Sequence, residues 1–207
     1  MTRIKLCGLT RPCDIEAANE LMPEYIGFVF AKKSRRYVSP EGAAALKARL
    51  NPAIQAVGVF VNAPVEFIAQ LLAKGVIDVA QLHGSEDAAY IENLRALTDK
   101  PIIQAFRVSD AADLERARAS AADDILLDNG AGGTGAAFDW ALVGEMDRPY
   151  FLAGGLSPKN AGEAVKTLRP FAVDVSSGVE TDGLKDPDKM RAFVAAVRAA
   201  DGKEDVK

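Results

Sequence analysis

Histidine and tryptophan occur once each in this chain, and cysteine only twice. Two cysteines, Cys7 and Cys13, cannot supply a disulfide framework, and free thiols point to a reducing, cytoplasmic setting. With so few histidine and cysteine ligands a zinc site is not expected, and no metal is assigned. No Walker lysine or dinucleotide fingerprint sits between a strand and a helix, so no nucleotide cofactor is expected either. Positive charge is not in excess: the formal net charge is -4, which argues against nucleic acid or an anionic membrane as partner. Uncharged apolar runs long enough to span a bilayer are also missing. The start, Met1-Thr2-Arg3-Ile4-Lys5-Leu6-Cys7, reads as a strand rather than a signal peptide, because Gly8 and charge follow too soon.

What is present suits one well-buried α/β domain: 207 residues, 49% hydrophobic and 26% charged. Short apolar runs alternate with amphipathic segments throughout. The runs are Arg3–Cys7, Tyr25–Phe30, Ile54–Phe60, Val79–Leu82, Pro101–Phe106, Ile125–Asp128, Tyr150–Ala153 and Ala172–Val175. They lack clean alternation, as strands covered on both faces do. Prolines 12, 40, 64, 158 and 187 suit first helical turns, with Ser39, Ser157 and Asp186 as caps before three of them. Met190, Phe193, Val194 and Val197 form the core stripe of a last helix. Repeated βα units near eight in number predict a single-domain (β/α)8 barrel over residues 1–200, followed by a charged tail, 201–207, expected to fray. Such barrels typically need about 250 residues, so the loops must be short. An open doubly wound sheet is the alternative.

Three strand ends run into glycine: Asp128 before Asn129-Gly130-Ala131-Gly132-Gly133-Thr134-Gly135, then Ala153-Gly154-Gly155, then Asp174-Val175-Ser176-Ser177-Gly178. Each alone fits tight-turn geometry. Together they suggest one polar mouth at the C-terminal ends of the strands, where such barrels do their chemistry. Backbone N–H groups and small hydroxyls at the last two loops suit a phosphate dianion. Cys7 ends the first strand and reaches the same mouth, where nearby positive charge would raise its thiolate fraction. Cys13 lies in the following helix and reads as inert packing. His83 ends the fourth strand and could orient substrate or serve structure. Of Arg35 and Arg36, after the second strand, one guanidinium could clamp a substrate carboxylate. Acid catalysis by Asp128 would need a raised pKa.

These segments, in order and spacing, resemble phosphoribosylanthranilate isomerases of tryptophan biosynthesis. The matches include Lys5-Leu6-Cys7-Gly8-Leu9-Thr10, Ser34-Arg35-Arg36-Tyr37-Val38-Ser39-Pro40, Gln81-Leu82-His83-Gly84, Leu126-Leu127-Asp128, Gly133-Thr134-Gly135, Ala153-Gly154-Gly155-Leu156 and Asp174-Val175-Ser176-Ser177-Gly178-Val179-Glu180. In many members a proline stands where this chain has Arg35; Arg36 is taken as the key arginine. The resemblance implies an Amadori rearrangement of N-(5-phosphoribosyl)anthranilate without a cofactor, in a monomer or homodimer. Asp128 would be the general acid and Cys7 the general base. Arg36 would hold the anthranilate carboxylate, and Gly154, Gly155, Ser176, Ser177 and Gly178 the phosphate, with His83, Gly133 and Asp174 also binding substrate. The rivals are another phosphosugar isomerase or epimerase, with a carboxylate or metal in place of Cys7, and a catalytically silent phosphate-binding barrel.

Overall fold

The computed structural model describes residues 1–129, 143 and 146–202. Eight strands, β1 (Arg3–Cys7), β2 (Tyr25–Val29), β3 (Gln55–Phe60), β4 (Val79–Leu82), β5 (Ile102–Val108), β6 (Asp124–Asn129), β7 (Tyr150–Leu152) and β8 (Ala172–Val175), close in chain order into one barrel. Every expected run is a strand, three with the expected bounds and the others with an end shifted by one or two residues. Parallel pairing of β1 with β8, Lys5 opposite Asp174, completes the ring and excludes the open sheet.

Side chains on each strand alternate between two apolar environments. Ile4, Leu6, Ile26, Phe28, Ile125, Leu127, Val173 and Val175 pack outward against the helices. Tyr25, Val57, Val79, Ile103, Leu126, Phe151 and Ala172 fill the interior. Cys7, Val29 and Val59 form a smaller apolar group of their own, and all three line the cavity at the C-terminal ends of the strands. Because each strand is apolar on both sides, hydrophobicity alone does not tell the inward set from the outward one.

The helices among the described residues are α1 (Pro12–Leu21), α2 (Pro40–Lys47), α3 (Val65–Ala73), α4 (Ala88–Arg95), α5 (Ala111–Arg118), α6 (Ala161–Leu168) and α7 (Pro187–Asp201). Pro12, Pro40 and Pro187 occupy first turns as expected, where the missing N–H removes no helix bond. Ser39 Oγ accepts from Gly42 N, and the Asp186 carboxylate accepts from Asp188 N and Lys189 N, caps each worth about 1 kcal/mol. Two expectations need correction. Pro64 stands one residue earlier, at the N-cap of α3. Pro158 belongs to a separate turn in which Ser157 Oγ accepts from Lys159 N, and α6 begins only after Asn160.

The stripe of Met190, Phe193, Val194 and Val197 is buried as predicted. Asp201, counted with the tail from sequence, is the last residue of α7. Its carboxylate accepts from Thr2 N and Thr2 Oγ1 at 2.8 and 2.9 Å, tying the two chain ends together. A short hairpin of β9 (Glu180–Thr181) and β10 (Leu184–Lys185), not anticipated from sequence, follows β8. Its two-residue turn, Asp182-Gly183, has φ of 51° and 80°, the left-handed pair that tight hairpins favour.

Candidate active site

A cavity of about 740 Å³ opens at the C-terminal ends of the strands. Cys7, Arg36, His83, Asp128, Gly154, Gly155, Asp174, Ser176 and Ser177 all line it. The barrel brings these nine expected residues to one place from six strand ends. Gly178 is not among the lining residues, and Gly133 lies outside the described residues.

Cys7 stands two residues along β1 from Lys5, so both side chains point into the barrel. Lys5 is fully buried, and its Nζ donates to Asp174 Oδ2 at 2.9 Å. Burial disfavours the ammonium, but the charges of Asp174 and Cys7 outweigh it, and the Lys5 pKa is raised. Burial pushes the Cys7 thiol up; Lys5 and Lys185 pull it down and Asp174 pushes it up, and the net shift is upward. Positive charge beside Cys7 was anticipated, yet desolvation wins and the resting group is the thiol. Asp174 Oδ1 is buried with no hydrogen-bond partner among the described residues. One carboxylate oxygen is thus engaged by Lys5, and the other is buried without a partner among the described residues, in a side chain that lines the cavity.

Across the barrel, His83 Nε2 lies 3.4 Å from Asp128 Oδ2. Gln81 Nε2 is 2.8 Å from His83 Nδ1. In that orientation the amide donates to Nδ1, and the ring proton of a neutral imidazole sits on Nε2, facing Asp128.

The arginine pair is less free than its sequence suggests. Arg36 Nε and Nη2 donate to Glu180 Oε1 and Oε2 at 2.6 and 2.9 Å. Arg35 Nη2 reaches Glu180 Oε2 at 2.7 Å, and Lys185 Nζ reaches Oε1 at 2.6 Å. Although burial opposes ionisation of Glu180, bonding to Arg36 and Lys185 brings its pKa down to about 2. Arg36 is itself held charged by the same carboxylate.

The glycine loops after β7 and β8 meet backbone to backbone. Gly154 and Gly155 have φ of 81° and 67°, a left-handed pair that other residues adopt only under strain. Their N–H groups donate to no backbone acceptor among the described residues. A Cβ on Gly178 would lie 1.9 Å from Leu156 O, so only glycine lets the two loops touch. Asn160 braces the first loop, its Nδ2 donating to Gly155 O at 3.0 Å and its Oδ1 accepting from Ser157 N at 2.8 Å. Lys185 Nζ donates to Ser176 O at 2.8 Å, and Ser176 Oγ donates to Cys7 O at 3.1 Å, linking the second loop to β1.

Lys5, Gln81, Glu180 and Lys185 belong to this site and were not singled out from sequence. Two of them carried a signal: Lys5 and Gln81 are polar residues inside apolar strands, each two residues before a candidate and therefore on its face. Cys13 is corrected in the other direction. It is exposed at the start of α1 rather than packed inside.

Residues 4–196 match the family model described as N-(5'phosphoribosyl)anthranilate (PRA) isomerase. The N-(5'-phosphoribosyl)anthranilate isomerase of Thermoanaerobacter sp. (strain X514) is 45% identical over 204 residues, covering 96% of this chain and 98% of the relative. The phosphoribosyl anthranilate isomerase structure from Thermotoga maritima superposes with a TM-score of 0.89 at 37% identity, over 96% of this chain and 100% of that one. Another solved phosphoribosyl anthranilate isomerase, in complex with reduced 1-(o-carboxyphenylamino)-1-deoxyribulose 5-phosphate, superposes with a TM-score of 0.86 at 37% identity, over 96% and 100% of the two chains.

Proposed function

The chain belongs to the N-(5'-phosphoribosyl)anthranilate isomerase family, and from that premise we propose how its residues divide the work. The reaction is the Amadori rearrangement of N-(5'-phosphoribosyl)anthranilate to 1-(o-carboxyphenylamino)-1-deoxyribulose 5-phosphate in tryptophan biosynthesis. The phosphate rests against Gly154, Gly155, Ser176 and Ser177, with Gly178 allowing the loops to close on it. Arg36 takes the anthranilate carboxylate.

Asp128 donates a proton to the furanose ring oxygen as the nitrogen lone pair breaks the C1′–O bond, leaving a protonated Schiff base and a free hydroxyl. Cys7, once its resting thiol has given its proton to water, removes the C2′ proton as the thiolate, and the electron pair moves toward nitrogen to give a neutral enolamine. The enol loses its proton and C1′ gains one, yielding the ketone. Asp128 and Cys7 return to their starting forms by proton exchange with water at the mouth. Lys5 acts as counter-ion to the thiolate, and His83, oriented by Gln81, keeps Asp128 turned toward the ring. The unpartnered Oδ1 of Asp174 accepts from a sugar hydroxyl. Gly133 is assigned to substrate binding from the family motif alone. Every group comes from one chain, so a monomer or a homodimer serves equally, and the free thiols suit the cytoplasm.

The observation that carries this reading is that a weak acid and a weak base, Asp128 on β6 and Cys7 on β1, line one cavity together with Arg36 and the glycine loops. Fading of anthranilate-type fluorescence on freshly generated substrate measures turnover. Cys7→Ser and Asp128→Asn should each retain less than about a tenth of wild-type kcat when chemistry limits. Retention of more by either variant removes that residue from its role.

A further inference from the structure

Glu180 stands behind Arg35 and Arg36, which line the cavity, and takes no part in the proton transfers. Its side chain is 4% exposed, and three cations converge on it: Arg35, Arg36 and Lys185. A single ion pair would suffice to satisfy a carboxylate there. The geometry of the Arg36 contact says more. A guanidinium carries five N–H donors in a planar fork. Glu180 takes one on Nε and one on Nη2, which leaves one N–H on Nη1 and one on Nη2 side by side on the opposite edge. That edge is the one left for a second carboxylate, and Arg36 lines the cavity.

Glu180 is itself fixed from outside the cavity. It opens β9, is the cross-strand partner of Lys185 on β10, and is held in register by the Asp182-Gly183 turn. Lys185 in turn grips Ser176. The hairpin therefore sets the arginine and the second glycine loop at a defined separation, as a ligand with a carboxylate at one end and a phosphate at the other requires.

We propose that Glu180 is a positioning residue for substrate recognition: by occupying the Nε/Nη2 edge of Arg36 it presents the opposite edge to the aromatic carboxylate. This rests on the reading of Arg36 as the carboxylate clamp. An arginine held in one rotamer loses little freedom on binding, whereas a loose one must be ordered by the ligand. The effect is thus one of affinity for the carboxylate end, not of proton transfer. It is also opposite in sign to the simplest electrostatic expectation, in which removing a nearby carboxylate strengthens binding of an anion.

The test compares two probes on wild type, Glu180→Gln, Arg36→Met and the double variant. The reduced product analogue carries both carboxylate and phosphate; inorganic phosphate carries only the latter. Glu180→Gln should weaken the analogue by about 10- to 100-fold, leave phosphate affinity within about twofold, and raise KM far more than it lowers kcat. In the Arg36→Met background the same change should add almost nothing. Unchanged or tighter analogue binding by Glu180→Gln overturns the proposal, as does an equal loss in both backgrounds or an equal loss for phosphate. If Arg36→Met alone binds the analogue as tightly as wild type, it is the clamp assignment that fails. Should Glu180→Gln not fold, Glu180→Asp keeps the charge but is one methylene short of spanning both nitrogens. The same selective loss is expected, and its absence overturns the proposal.

Discussion

Gly27 on β2 is the Cα partner of Cys7 on β1, and replacing it with alanine should displace the thiol without unfolding the barrel. An added Cβ would stand 2.7 Å from Cys7 Sγ, 3.1 Å from its Cα and 3.3 Å from its Cβ. Comfortable contact lies near 3.5–4.0 Å, so the sulfur must retreat by about 1 Å. The short approach to the Cα leaves β1 little room to absorb the strain, because the neighbouring strand pairs hold it. Overpacking of this kind costs about 1–3 kcal/mol, and loss of glycine's freedom in the unfolded chain returns about 0.4–1. In a protein of this size that is a fall of a few degrees in Tm. The chemical step should suffer more, since misplacing a reacting group by about 1 Å costs on the order of 100-fold in rate, or about 2.7 kcal/mol. Single-turnover fluorescence gives the rate and a thermal melt the stability. Gly27→Ala with a chemical step within about threefold of wild type would refute the reasoning.

Arg36→Met should weaken the reduced product analogue by about 2–4 kcal/mol, roughly 30- to 1,000-fold, while Asp128→Asn should bind it nearly normally and fail at ring opening; calorimetry beside single-turnover rates checks both. Because burial holds the Cys7 thiol above its usual range, with Lys5, Asp174, Lys185 and Arg36 as the charged groups facing it, kcat/KM should climb with pH from about 7 to 9. A flat profile with chemistry limiting would contradict that. Glu180, depressed from 4.5 to about 2, contributes stability that is complete above about pH 4.5 and lost as the pH falls toward 2. Denaturant midpoints should therefore show wild type losing its advantage over Glu180→Gln across that window, an advantage of at most about 3 kcal/mol; a pH-independent difference would count against it. A crystal grown in sulfate should show the anion against Gly155 and Ser177, and an anion found only at Arg35 would relocate the phosphate site.

Much of the site was legible because the fold turns sequence order into spatial order. Once the eight runs are read as parallel strands, Cys7, His83, Asp128 and Ser176 fall at the same end of one barrel, whatever their separation along the chain. Glu180 was not legible in the same way. It follows the last strand in a segment without hydrophobic periodicity, and only the Asp182-Gly183 pair hinted at a hairpin. Ser157-Pro158 misled for a related reason: a cap-like pair before an apolar segment suits an isolated turn as well as a helix.

The sequence by itself determined the strand count, the parallel class and the chemistry available at the strand ends, because these follow from local pattern and residue type. Only the tertiary structure decided which charges meet. Lys5 and Asp174 are 169 residues apart and Arg36 and Glu180 are 144 apart. Their pairing depends on closure of β8 against β1 and on the reach of a hairpin outside the barrel, neither of which leaves a mark in the composition of the segments themselves. The balance at Cys7 is of the same kind, since burial and charges from other elements set it and no local rule contains them.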